Sequence, residues 1–174
     1  MTPSILLYAA ASVLYAGLAI YFWKTRWRRA SRNPPAPAAL RLERLAMPVP
    51  IVVHALLLYR DVLTPAELRL GFAIALSAMM LLAVLFYWTE SFFYDLDGLH
   101  SPILLLAALA APLPLLFPGR PVGTYGLSVE FRVHLVLAVV AYSLLTLAMA
   151  HAALMAALER RLRKSHHAPG HTGG

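Results

Sequence analysis

Two histidines lie inside long apolar stretches of this chain: His54 within 45–63, and His134 about a turn into 131–158. An ionisable side chain in hydrocarbon is costly unless paired or solvated, so each marks a candidate site. Neutral imidazole is the commonest protein metal ligand and a usual axial ligand of haem iron. The plainer alternative for either residue is a hydrogen bond to a neighbouring helix. A helical wheel places Ala138, Ala141, Ala148 and Ala152 within about 40° of His134, and small residues there would let a helix or a flat ligand approach closely. His151 lies about 25 Å further along that helix and off this face, which makes it a polar residue of the opposite membrane surface.

Guanidinium groups are the second kind of candidate. Arg60, beside Asp61, closes the stretch that holds His54, and Arg132, beside Glu130, precedes His134. Both could hold anionic groups such as carboxylates, although such residues more often serve as boundary anchors or solvated pairs. Met47, Met79, Met80, Met149 and Met155 are scattered, which reads as core filling rather than a soft-metal site. His166, His167 and His171 give the tail the composition of a metal-binding tract. Trp88, Glu90, Asp95 and Asp97 form an aromatic and acidic patch that reads as an interfacial belt, because solvated carboxylates lack the environment that separates an acid from a base. No phosphate loop, dinucleotide fingerprint, zinc-helix motif or nucleophile elbow is present, and the chain is not expected to be an enzyme.

The elements that must position these residues follow from composition. Of 174 residues, 60% are hydrophobic and 13% charged, against roughly 45–50% and about 25% in a soluble domain. The apolar residues come in blocks long enough to cross the ~30 Å hydrocarbon layer, so the expected fold is an all-α polytopic membrane bundle. Five spans are expected, at about 4–23, 45–63, 68–86, 101–117 and 131–158. These make one transmembrane domain, 1–164, with a disordered tail over 165–174. Thr64-Pro65-Ala66-Glu67 reads as a capping stretch before the third span. Tyr87, Trp88, Phe92, Phe93 and Tyr94 read as interfacial rings at its far end. Pro112 and Pro114 interrupt the fourth.

The net charge of +7 does not indicate a nucleic-acid partner, because the basic residues sit in two blocks flanking apolar spans rather than on a soluble basic face. One block runs from Lys24 to Arg44 and the other from Arg160 to Lys164. Only Arg60, Arg69, Arg120 and Arg132 fall on the opposite side of the expected bundle. That bias predicts an N-terminus outside and a cytoplasmic C-terminus. With no cysteine in the chain, thiolate ligands and disulfides are excluded.

Val53-His54-Ala55-Leu56, Phe131-Arg132-Val133-His134-Leu135, Ala141-Tyr142-Ser143 and Leu158-Glu159-Arg160-Arg161-Leu162 together resemble the YpjD-like branch of the CcsA/CcmC cytochrome c assembly proteins. The histidine-to-Ala-Tyr-Ser spacing is the most specific part, and the resemblance covers all five spans. It implies a multi-pass protein of the bacterial inner membrane that handles haem, here b-type, beside lipid and other cytochrome c assembly components. Relative to that family the C-terminal spans are expected to be missing. The expected site has His54 and His134 facing each other as ligands of the haem iron, with Arg60 or Arg132 near the propionates. The alternative is a small-solute or metal-ion transport component, in which the same histidines line a polar path and the fourth span acts as a gate. A purely structural subunit is a third reading.

Overall fold

The computed structural model describes residues 2–24, 44–63, 68–93, 100–123 and 128–166. In chain order the elements are α1 (Thr2–Phe22), α2 (Pro48–Leu58), β1 (Arg69–Leu70), α3 (Phe72–Glu90), α4 (His100–Ala110), α5 (Leu113–Leu116), β2 (Arg120–Pro121) and α6 (Val129–His166). The structure is predominantly helical. Among the described residues three helical segments, Ile5–Phe22, Phe72–Glu90 and Val129–Arg160, are long and apolar enough to cross a membrane, and Ser101–Leu116 is a shorter apolar stretch.

Local chemistry sets the boundaries. Pro48 and Pro50 occupy the first turn of α2, where a missing amide donor costs least. The far end of α2 loosens into a π-helical turn, Tyr59–Leu63. The third helix begins at Phe72 rather than near Leu68, because Leu68 and the two residues of β1 are taken up in a strand-like ribbon and Gly71 is fully extended. It then continues to Glu90. The proposed capping stretch 64–67 lies outside the described residues. Pro112 and Pro114 have no N–H to return to the carbonyls one turn earlier, so α4 ends after Ala110, and α5 restarts as a single turn with a Leu115 N–H bond to the Pro112 carbonyl. Helix α6 runs to His166, two residues into the expected tail. His167 and His171 lie outside the described residues, as do Tyr94, Asp95 and Asp97.

The core is a set of heptad-spaced seams. Helix α1 buries Tyr8, Ala11, Tyr15, Ala19 and Phe22, and α3 buries Ala73, Ser77, Met80, Val84 and Tyr87. Each set steps by three and four residues, the spacing that keeps one face of a helix against a partner. Helix α1 packs on α4 and α2, and α3 packs on α6 and α4. Outside these seams the helices are covered with exposed aliphatic residues such as Leu6, Val13, Val52 and Leu109, as expected of a surface whose solvent is lipid. Two expectations change here. Tyr87 is fully buried, so it is a core residue rather than an interfacial ring. Met47 and Met80 fill the core, but Met149 and Met155 are exposed.

Side-chain bonds group the helix ends. Tyr8 of α1 donates its hydroxyl to Asp61 in the turn that ends α2. Strands β1 and β2 pair antiparallel, Arg69 with Pro121 and Leu70 with Arg120. The beginning of α1, the end of α2, the beginning of α3 and the ribbon leading toward α6 therefore share one end of the bundle. At the other end Trp88 Nε1 donates to the Arg44 carbonyl, Arg44 donates to the Ser91 carbonyl, and Ser101 donates to the Ala19 carbonyl. The ribbon leaves no room for a side chain at Gly119, where a Cβ would stand 2.7 Å from Ile74 Cδ1 and from the Leu70 carbonyl.

Candidate functional site

His54 projects from the middle of α2 into the bundle and has no exposed surface. Its Nε2 lies 2.8 Å from Ser77 Oγ on α3. On its other side the ring of Tyr15 from α1 meets it edge to face, with centroids 5.7 Å apart and an interplanar angle of 76°. The imidazole is thus the joint of three helices. Nδ1 of His54, the hydroxyl of Tyr15 and Oγ of Ser12 are buried without a hydrogen-bond partner among the described residues. A serine also ties α6 into the bundle: Ser143 is fully buried, with Oγ 3.0 Å from the Met79 carbonyl on α3 and 2.6 Å from the Val139 carbonyl in its own helix.

His134 is placed differently. The inward stripe of α6 is Leu135, Val139, Ser143, Leu147, Ala150 and Leu154, whereas His134 is exposed together with Ala141, Ala148 and Ala152. The small-residue face that accompanies His134 therefore points away from the helices of this chain. The expected arrangement, with His54 and His134 facing each other across one iron, is not present. His54 is enclosed by Ser77 and Tyr15 with its Nε2 already bonded, and His134 turns outward. The physical reason is the register of α6, which presents its Leu135 face to α3 and so rotates the neighbouring position out of the bundle.

The two arginines do share an end. Arg60 follows the last residues of α2 and Arg132 lies in the first turn of α6, and both are exposed. Between α2, α3 and α6 runs an apolar crevice of about 570 Å³. Its walls include Ala55 and Tyr59 from α2, Ile74 and Ala78 from α3, and Leu135 and Val139 from α6. The crevice thus begins at the residue next to His134 and reaches the residue next to Arg60. A second crevice, about 650 Å³, lies between α1, α4 and α6 and is likewise lined by aliphatic side chains, among them Ala19, Leu105, Ala150 and Leu154.

Among the described residues no three histidine, aspartate or glutamate side chains cluster as a metal site. The donor set is unsuited to a closed structural metal centre, which takes four protein ligands. The crevice between α2, α3 and α6 is apolar throughout; Arg60, Arg132 and His134 are exposed at the same end of the bundle but are not among its lining residues. Sequence reasoning missed Ser77 and Tyr15. The only signal available was a tyrosine and a histidine at compatible depths in consecutive spans. No family model matches the chain, and neither a curated protein nor a solved structure does so.

Proposed function

We propose that this is a haem-handling membrane protein of the cytochrome c assembly kind, non-catalytic in itself, in which His134 offers the imidazole. The observation that carries the reading is the crevice between α2, α3 and α6, whose α6 wall starts at Leu135, immediately after the exposed His134. An apolar slot removes a hydrophobic macrocycle from water, and the gain scales with the apolar area covered. Arg60 and Arg132, at the same end of the bundle, are of the type that grips carboxylates in two-point fashion. Ala138 lies on the α6 surface between His134 and the crevice wall at Leu135, and its small side chain leaves room for a planar group to reach from the slot to the imidazole. Haem, if bound, would supply an iron that a histidine nitrogen can ligate, and His134 would be the residue to hold it. The chain's contribution is to orient the group, to exclude water from its apolar body and to hold its charged edge near the membrane surface. In this reading His54 supports the site by locking α1, α2 and α3 together and is not an iron ligand. The resemblance of the His134 to Ala141-Tyr142-Ser143 segment to cytochrome c assembly proteins supports the same assignment, with the bacterial inner membrane as the location.

The test is haem capture. Protein produced with ample haem supply and purified in detergent should show a Soret band that His134→Ala removes and His54→Leu retains. A Soret band unaffected by His134→Ala would overturn the assignment. Metal-dependent growth that changes with His54→Leu, without any haem signal, would favour the transport reading instead.

A further inference from the structure

The seam between α1 and α2 repeats every seven residues. Tyr8 meets Asp61, and Tyr15 meets His54 one heptad deeper. A further heptad on, the corresponding positions are Phe22 and Met47, both buried. Ser12 lies between the two polar layers, one turn from each tyrosine on the same side of α1. Polar groups therefore descend from the ribbon end of the bundle to its middle in the order Asp61, Tyr8, Ser12, Tyr15, His54, Ser77, and the next layer is apolar. The layers stand about 10 Å apart along the helix axis, too far for direct bonds between them.

Three atoms on this descent, Ser12 Oγ, Tyr15 Oη and His54 Nδ1, are buried and have no partner among the described residues. A buried donor or acceptor left without a partner costs about 1–3 kcal/mol, and buried polar groups that lack protein partners are ordinarily bonded to water. Asp61 is only half-buried and sits beside the exposed Arg60, so the upper end of the series reaches the surface. At the lower end, buried Ala19, Phe22 and Met47 supply no side-chain hydroxyl, carboxyl or imidazole.

We infer that Asp61, Tyr8, Ser12, Tyr15 and His54 form a hydrated, dead-end proton path from the ribbon end of the bundle to the His54 imidazole. A proton enters from bulk water at Asp61, passes along the hydroxyls and intervening water, and is taken up on Nδ1 by the tautomer whose Nε2–H donates to Ser77 Oγ. It leaves by the same route, because the Phe22 and Met47 layer offers no side chain that takes up a proton. The titratable groups along the path are Tyr8 and Tyr15 from α1 and Asp61 from α2. Helix α3 contributes the neutral Ser77. Polar side chains chained through a membrane interior in this way are the usual construction of proton relays.

The experiment is water-edited solid-state NMR on uniformly 15N-labelled protein in lipid bilayers, with the His54 signals identified by their loss in His54→Leu. The path requires rapid magnetisation transfer from water to the His54 ring despite its complete burial. That transfer should be lost in Ser12→Val, which blocks the intermediate layer, while the Nε2 signature of the Ser77 bond remains. Tyr8→Phe, at a different layer, provides an independent variant and should weaken the transfer in the same sense. Transfer to His54 as slow as to the dry backbone amides of Ala83 and Val84 in the unaltered protein would overturn the inference. So would transfer unchanged in both variants. Neither result depends on haem, so this reading can fail while the proposed function stands, and the reverse.

Discussion

Replacing Ser77 by alanine removes the only hydrogen-bond partner of His54 Nε2 among the described residues, 2.8 Å away in a site with no exposed surface. The ring's other nitrogen has no protein partner, so the variant leaves an imidazole with neither nitrogen bonded to protein. The loss should be about 1–2 kcal/mol, set by the desolvation cost of an orphaned buried acceptor or donor. His54→Leu exposes a different imbalance. Ser77 Oγ loses its partner but can turn to a carbonyl of its own helix, so the cost falls mainly on packing against Tyr15. In the double variant both groups of the pair are gone and neither leaves the other orphaned. A double-mutant cycle should therefore give a coupling of about 1 kcal/mol, between the average of ~0.6 and the maximum of ~1.7 kcal/mol found for hydrogen bonds between membrane helices. That coupling is about a fivefold effect on the folding equilibrium, given that 1.4 kcal/mol is roughly tenfold. Reversible unfolding in bicelles, or steric trapping with paired labels on α2 and α3, measures it. Additivity of the two substitutions within about 0.3–0.5 kcal/mol, the spread expected of independent sites, would refute the three-helix joint.

Other consequences follow from single contacts. Gly119→Ala should destabilise the ribbon end, because a Cβ would stand 2.7 Å from the Leu70 carbonyl; a loss of about 1–3 kcal/mol, typical of overpacking, should appear as a lower thermal midpoint, and an unchanged midpoint would contradict the close approach. Ser143→Ala should loosen α6 from α3 by about 0.5–1.5 kcal/mol, read as faster hydrogen exchange around Met79; unaltered exchange would mean that α6 is held by its aliphatic stripe alone. His134→Ala should leave stability within about 0.5 kcal/mol, as for other exposed substitutions, and a larger loss would show that the side chain is needed for packing. Tyr8→Phe should leave Asp61 without its hydroxyl donor and permit greater separation of α1 from the end of α2, measurable as a broadened distance distribution between spin labels at those ends.

Much of the helical architecture is legible in the sequence because lipid imposes a simple demand: long apolar runs such as Ile5–Phe22 and Phe72–Glu90 must form helices to satisfy their own backbone. The proline-induced break after Ala110 is legible for a similarly local reason. The start of the third helix is less so, since the pairing of Arg69 and Leu70 with Arg120 and Pro121 depends on residues fifty positions away. The interior of the site is harder still. His54 finds Ser77 and Tyr15 only once the registers of three helices are set against one another, and serine and tyrosine in apolar spans carry no one-dimensional mark of that meeting. The outward turn of His134 was also hidden, because the alanines beside it suit a helix contact, a flat ligand or a lipid-facing surface equally well.

In the proposed function His134, and not His54, presents the imidazole to haem. Electron paramagnetic resonance of the ferric protein loaded with haem in nanodiscs separates the two arrangements. A single imidazole from this chain predicts a high-spin ferric signal that added imidazole converts to low spin, that His54→Leu leaves intact and that His134→Ala abolishes. A low-spin signal of two imidazoles, lost on His54→Leu, would contradict it.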